Sequence, residues 1–310
     1  MKSVKIMTAL SSLLLLHVNA LWAQNPTPSA GYEKEIKTWT AVRDAVLRSE
    51  ASPLGLLGTF YLKEGVNNFG SATDNQIVIP DAVVNGHAGQ YLLTADSVVL
   101  VLKESQGVAV EGRSAVLRTD IPKQDSLKYR SDTERSIVLS QGAVRWFLLN
   151  NNGKIAVRAL NAQANSYKKF HGVERYPIDP SWRIPAIFIP DANNSELEIM
   201  NVLGQKNSRA LAGKVQFTRD GQTYSLDALT VDSNLFIVFS DGTSNKGTYA
   251  FRFLYADKPV AGNQTLLDFN KAINPNCAFS PYSACPMPPP NNRLKLPVTA
   301  GEKKYEIADK

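Results

Sequence analysis

In Lys214-Val215-Gln216-Phe217-Thr218, then Arg219-Asp220-Gly221, then Gln222-Thr223-Tyr224-Ser225-Leu226, polar and apolar side chains alternate on both sides of an Asp-Gly pair. Alternation with period two sends successive side chains to opposite faces of a strand. Asp-Gly takes the positive φ angles that a two-residue hairpin turn demands. The stretch is therefore expected to be a β-hairpin. Ala143 to Leu149 and Lys154 to Leu160, around Asn150-Asn151-Asn152-Gly153, repeat the signal in the first half of the chain. Short β-branched or aromatic runs fill the rest: Phe60 to Leu62, Gln76 to Ile79, Tyr91 to Leu93, Val98 to Leu102, Ala115 to Arg118 and Ile137 to Leu139. Ile184 to Ile189, Leu235 to Phe239, Thr248 to Tyr255 and Gln264 to Phe269 follow, with Gly, Asp, Asn and Pro between the runs. No helical pattern alternates with these strands, which argues against a parallel α/β sheet. The expected fold is mainly β. An antiparallel sandwich over 52–165 packs on a second antiparallel barrel or sandwich over 166–305, and 306–310 is a frayed tail. Ser166 to Pro185, with three prolines and with Tyr176 and Trp182, is expected to be an ordered crossing between them.

Outside the β region stand a leader and one helix. Lys2 and Lys5, an apolar run from Ile6 to Val18 and Leu21-Trp22-Ala23 have the order of a signal peptide over 1–23. The mature chain is thus expected to begin near Gln24, to be exported to the periplasm or beyond, and to have no membrane span after cleavage. Without Lys2 and Lys5, 32 basic residues face 28 acidic ones, a formal +4. The basic residues are scattered, which excludes a nucleic-acid footprint. Within 24–51, Gln24 to Ser29 reads as a disordered start. Tyr32, Ile36, Trp39, Val42 and Val46 then recur at spacings of three and four, an amphipathic helix capping the first sheet pair.

The residues that could carry chemistry gather near the end. Leu267-Asp268-Phe269-Asn270 is followed by Asn276-Cys277-Ala278-Phe279-Ser280-Pro281-Tyr282-Ser283-Ala284-Cys285-Pro286 and then by Pro288-Pro289-Pro290-Asn291-Asn292-Arg293-Leu294. Asp268 and Asn270 share a face at a strand exit, and Arg293 could complete a polar cluster with them. The alternative is that Asp268 and Asn270 only end the strand by bonding neighbouring backbone. Tyr249, Phe251, Phe253 and Tyr255 fall on one strand face, as core or as a stacking platform. Cys277 and Cys285 are the only cysteines, and in an exported chain they favour one disulfide. Closing that loop would stabilise by roughly 2.5 kcal/mol. Buried thiols come next. A metal role is last, because zinc needs two more ligands and the mature chain offers only His87 and His171. A thiol nucleophile would need a base such as His171.

Two resemblances follow from these residues. Phe69-Gly70-Ser71, Asp74 to Pro80 and Val83-Val84-Asn85-Gly86-His87-Ala88 resemble the opening of forkhead-associated domains, β-sandwiches that bind phosphothreonine peptides. Ser71 stands where those domains place a phosphate-clamping Arg, and Asn85-Gly86-His87 is one residue shorter than their Ser-x-x-His turn. The resemblance implies the fold and not phosphopeptide binding, so His87 is read as a turn residue bonded to backbone. More extensively, Trp39 with Arg43-Asp44, Gly58 to Leu62, Tyr176 to Arg183, Asp227-Ala228-Leu229, Phe253 to Asp257, Asp268 to Leu294 and Ala300-Gly301-Glu302-Lys303 are similar to the domain-of-unknown-function family numbered 1684. That resemblance spans Trp39 to Tyr305. It brings no activity, cofactor or catalytic residue, and members that lack a leader yet bear a comparable cysteine pair imply thiols rather than a staple.

The functional expectation is a binding or scaffold module without a cofactor. A small molecule, glycan or peptide would sit in a cleft between the β halves, lined by Trp182, Arg183, Tyr255, Asp268, Asn270 and Arg293. The rival is a hydrolase-like site joining Asp268 to His171, Cys277 or Cys285, which requires that folding bring them within hydrogen-bond reach.

Overall fold

Seventeen strands and two helices are described in a computed structural model covering 29–95, 97–102, 107–110, 118–122, 138–151 and 154–306. The leader, the segment 24–28, most of the Ala115 to Arg118 run, Ile137, the Asn152-Gly153 turn and the tail beyond Glu306 lie outside the described residues. Among those described, no helix is long and apolar enough to cross a membrane.

The first half is a sandwich of two five-stranded sheets. One orders β1 (Leu56–Tyr61), β10 (Lys154–Asn161), β9 (Val144–Asn151), β8 (Leu139–Gln141) and β6 (Ala109–Val110). The other orders β3 (Ile77–Val78), β2 (Gly65–Gly70), β4 (Gly89–Leu93), β5 (Ser97–Leu102) and β7 (Arg118–Pro122). Every pairing is antiparallel except that of β2 with β3. Phe69, Ile77, Tyr91 and Leu100 meet Trp146, Leu148 and Val157 between the sheets, and the Phe69 ring lies edge-on to Trp146 at 5.8 Å.

The second half is one nearly closed antiparallel barrel. Its path runs β16 (Arg252–Asp257), β15 (Asn234–Phe239), β14 (Gln222–Val231), β13 (Lys206–Arg219), β11 (Arg183–Pro190) and β17 (Gln264–Asp268), with β12 (Glu196–Met200) beside β13. The Asp-Gly hairpin joins β13 to β14: Asp220 and Gly221 have φ of 51° and 74°, and Arg219 pairs with Gln222. The seam is closed where Phe253 and Ile273 exchange two backbone hydrogen bonds of 2.9 Å. Alternation fills the interior, since Ile184, Ala186 and Phe188 of β11 point in while Ile187 and Ile189 point out. Of the aromatic run, Tyr249, Phe251 and Phe253 pack into an apolar cluster on the barrel wall, so they are core. The strand itself begins only at Arg252, because Ser244 to Thr248 are occupied by a turn.

The helix α1 (Ala30–Leu47) starts at Ser29, whose Oγ accepts the Tyr32 amide. Its buried side is not the expected stripe. Val42 and Val46 are 60% and 53% exposed, whereas Tyr32, Ile36 and Leu47 are buried. Arg43 lies on the inner face because it reaches a buried carboxylate, described below. Nor does α1 cap the sandwich: Tyr32 and Arg43 both make their hydrogen bonds to the barrel half.

Candidate functional site

The crossing segment, the end of α1, the turn before β16 and the C-terminal strip surround an open groove of about 670 Å³. Lys169 ends the short helix α2 (Asn165–Lys169), and His171 and Glu174 follow it. Lys246 comes from the turn before β16, Lys303 and Lys304 from the C-terminal strip, and Asp44 from α1. Lys303 pairs with Glu174 at 3.5 Å and lies over the Tyr176 ring. Backbone bonds fix the rim: the Lys303 amide donates to Glu174 O at 2.8 Å and the Lys304 amide to Gly247 O at 3.1 Å.

Two buried ion clusters hold that strip in place. Glu302, fully buried, accepts Arg43 Nε at 3.1 Å and Arg175 Nη2 at 2.9 Å on one oxygen, and the Asn274 amide at 2.6 Å on the other. Burial pulls the Arg175 guanidinium below its usual range. Deeper still, Arg252 donates to Asp241 at 2.8 Å and to the carbonyls of Val298 and Ala300. Gly301, at φ 78°, passes so close to the Phe269 and Ala272 carbonyls that a Cβ would come within 2.7 Å of both. These residues were not read as site residues from sequence. The detectable signal was spacing, since Arg43 continues the line of buried Tyr32 and Ile36 and half-buried Trp39 toward Leu47.

The expected site residues divide. Asp268 and Asn270 come together at the exit of β17, as read, and Arg183 is the register partner of Asp268. Asp268 Oδ1 accepts the Tyr32 hydroxyl at 2.9 Å and the Asn270 amide at 3.1 Å; Asn270 Nδ2 donates to Tyr32 Oη at 2.9 Å. Asp268 Oδ2 lies 4.0 Å from Lys271 Nζ, and burial raises the Asp268 pKa. The Arg183 guanidinium lies 4.8 Å over the Tyr32 ring. Asn270 also exchanges bonds with the backbone of Asp179. This is a docking joint for α1, consistent with the strand-ending reading. Trp182 is buried in the barrel core with Arg219 stacked on it at 3.7 Å, so it lines no cleft. Tyr255 is half-exposed on the outer wall against Phe236. Arg293 is exposed beside Ser240, and the expected pairing with Asp268 does not form. The deeply placed neighbour is Asn292, which bonds Asp227 and Val238 backbone.

His171 lines the groove, Asp268 sits under α1 and the cysteines lie in the Pro-rich loop, and among the described residues no hydrogen bond joins Asp268 to His171, Cys277 or Cys285. His87 stays in its turn, its ring 3.4 Å from the Asn75 side chain rather than bonded to backbone. Cys277 and Cys285 are free thiols held against each other, with the Cys277 amide donating to Cys285 Sγ at 3.0 Å. Their loop is packed down as expected. It lies at the joint, where Phe279 meets Leu47, Leu54 and Phe170, and Ser280 Oγ donates to Leu56 O.

The Cys- and Pro-rich loop and most of the groove's lining, though not Asp44 or Lys304 to Glu306, fall within the stretch that matches a family model described as "Protein of unknown function (DUF1684)", residues 168–303. The DUF1684 match thus covers the barrel half, from the crossing segment to the C-terminal strip. The match begins at the crossing segment, so the sandwich lies outside the DUF1684 stretch although the resemblance was read from Trp39 onward. Among solved structures the chain is similar to the solution NMR structure of an uncharacterised protein from gene locus rrnAC0354 of Haloarcula marismortui. Identity is 26%, over 45% of this chain and 80% of that one, with a TM-score of 0.38. No curated protein matches.

Proposed function

We propose that this protein is an exported binding module whose groove at the joint takes a small anionic ligand. The observation that carries this reading is the lining itself: four lysines and His171 around one concavity, against Asp44, Glu174 and Glu306. The volume is in the range of small-molecule sites. Lysine ammonium groups on flexible stems suit carboxylate or phosphate groups as point charges. The scaffold favours recognition, since the rim is fixed by backbone bonds and by buried Glu302 and Arg252. The leader over 1–23 supports placing the module in the periplasm or beyond.

Calorimetric titration with inorganic phosphate and with malonate tests the reading. At least one is expected to bind, more weakly as salt rises. Lys246→Glu with Lys303→Glu is expected to weaken it at least about tenfold, or roughly 1.4 kcal/mol. Absence of heat with both probes, or indifference to both reversals, overturns the assignment.

A further inference from the structure

The Cys277 and Cys285 thiols are better arranged than packing requires. Cys277 sits on a 3-10 turn (Asn276–Ala278) and is partly exposed, while Cys285 is buried in the apolar wall cluster beside Phe253, Phe251 and Met287. Cys285 Sγ is fixed by the Cys277 amide at 3.0 Å, which holds the second cysteine against the backbone of the first. On the other side, Tyr249 Oη donates toward Cys277 Sγ at 3.7 Å and to Cys277 O at 3.4 Å. A partly exposed cysteine with a tyrosine hydroxyl at its sulfur thus stands beside an enclosed one.

We propose that Cys277 and Cys285 form a thiol–disulfide exchange centre that reacts with low-molecular-weight disulfides, Cys277 as the nucleophile and Cys285 as the resolving thiol. In the first step the Cys277 thiolate attacks one sulfur of the disulfide RSSR. The RS–SR bond breaks, Cys277 carries SR, and RS⁻ leaves and takes up a proton. In the second, Cys285 gives its proton to solvent and attacks Cys277 Sγ, which expels the second RS⁻, protonated in turn. Two protein thiols are oxidised to one disulfide and RSSR is reduced to two RSH; excess RSH drives the reverse. The bond closes the Cys277–Cys285 loop of the joint without bringing in a distant sulfur.

The electrostatics agree with these roles. The hydrogen bond from Cys285 draws the Cys277 thiol down, and the Tyr249 hydroxyl adds to it; the same sharing and burial push Cys285 up. Burial and the neighbouring sulfurs raise the Tyr249 phenol, so it remains a donor. A nucleophile with lowered pKa beside a protonated resolver is what exchange requires. Tyr249 is then a positioning residue.

The test is to hold the full folded chain in mixtures of oxidised and reduced glutathione, quench by alkylation and map the cysteines by mass spectrometry. The wild type is expected to pass from two alkylated thiols to an internal Cys277–Cys285 disulfide as the oxidised share rises. Cys285→Ala is expected to stop with one glutathione on Cys277, and Cys277→Ala to react at least roughly tenfold more slowly. Tyr249→Phe is expected to raise the pH midpoint of Cys277 alkylation, a change that a packing role leaves untouched. The proposal falls if the wild type forms no internal disulfide at any ratio, or if Cys277→Ala reacts as fast as the wild type. Because the first of these results needs no variant, a substitution that fails to fold does not blunt it.

Discussion

Burial holds the Asp268 carboxyl above the ordinary carboxylate range, while the Tyr32 hydroxyl and the Asn270 groups it accepts pull it partway back. A group whose folded pKa is raised contributes stability that is fully present below its unfolded pKa. That contribution is lost as pH rises through the folded value. Ionised Asp268 therefore works against the fold at neutral pH. Asp268→Asn keeps an Oδ1 acceptor for Tyr32 and Asn270 and removes the charge. Relative to wild type, its urea midpoint is expected to improve from about pH 4 to about pH 7. A larger loss at pH 7 than at pH 4 would show instead that the ionised form is held by Lys271. Asp268→Ala is expected to lose roughly 1–3 kcal/mol at either pH, because the Tyr32 hydroxyl is left without its acceptor. The strand exit made Asp268 and Asn270 legible as a pair. Their third member lies 236 residues away, and no local pattern reports it.

The hairpins of β13–β14 and β9–β10 were readable because each satisfies two independent local rules, alternation and turn chemistry. Helix α1 was readable in extent but not in face, since an apolar-only count rejects Arg43 and accepts Val42. The corrected face rests on Glu302, whose two arginines come from α1 and the crossing segment. Glu302→Gln removes the buried carboxylate that Arg43 and Arg175 both pair with and is expected to cost about 3–5 kcal/mol in urea unfolding. Arg43→Met is expected to cost less, because Arg175 still neutralises Glu302 and the methionine chain replaces the aliphatic stem. If Arg43→Met proves the more damaging of the two, the cluster is held by the helix rather than by its charge balance.

Across the whole molecule, the groove is assembled from α1, the crossing segment, the turn before β16 and the C-terminal strip. Its lysines carry no spacing that could announce them, which is why the sequence pointed instead to residues that were distinctive by type. Trp182 is the clearest case: its Asp-Pro-Ser-Trp context is a capped 3-10 turn that feeds the barrel core. The Cys- and Pro-rich loop was rightly read as ordered, and its larger role is to join the halves. Phe279 packs with Leu47 at the end of α1, with Leu54 just before β1 and with Phe170 of the crossing, and its ring lies 4.7 Å from that of Tyr305. Ser280 adds one hydrogen bond to β1. A single buried aromatic touching segments from both halves makes their unfolding cooperative. In scanning calorimetry the native chain is expected to give one transition. Phe279→Ala removes that contact at a cost of about 3–5 kcal/mol and is expected to separate the sandwich from the barrel into two transitions. A Phe279→Ala chain that still melts once, at a lower temperature, would place the coupling in the crossing segment instead, where Phe170→Ala is then the substitution that splits the transition.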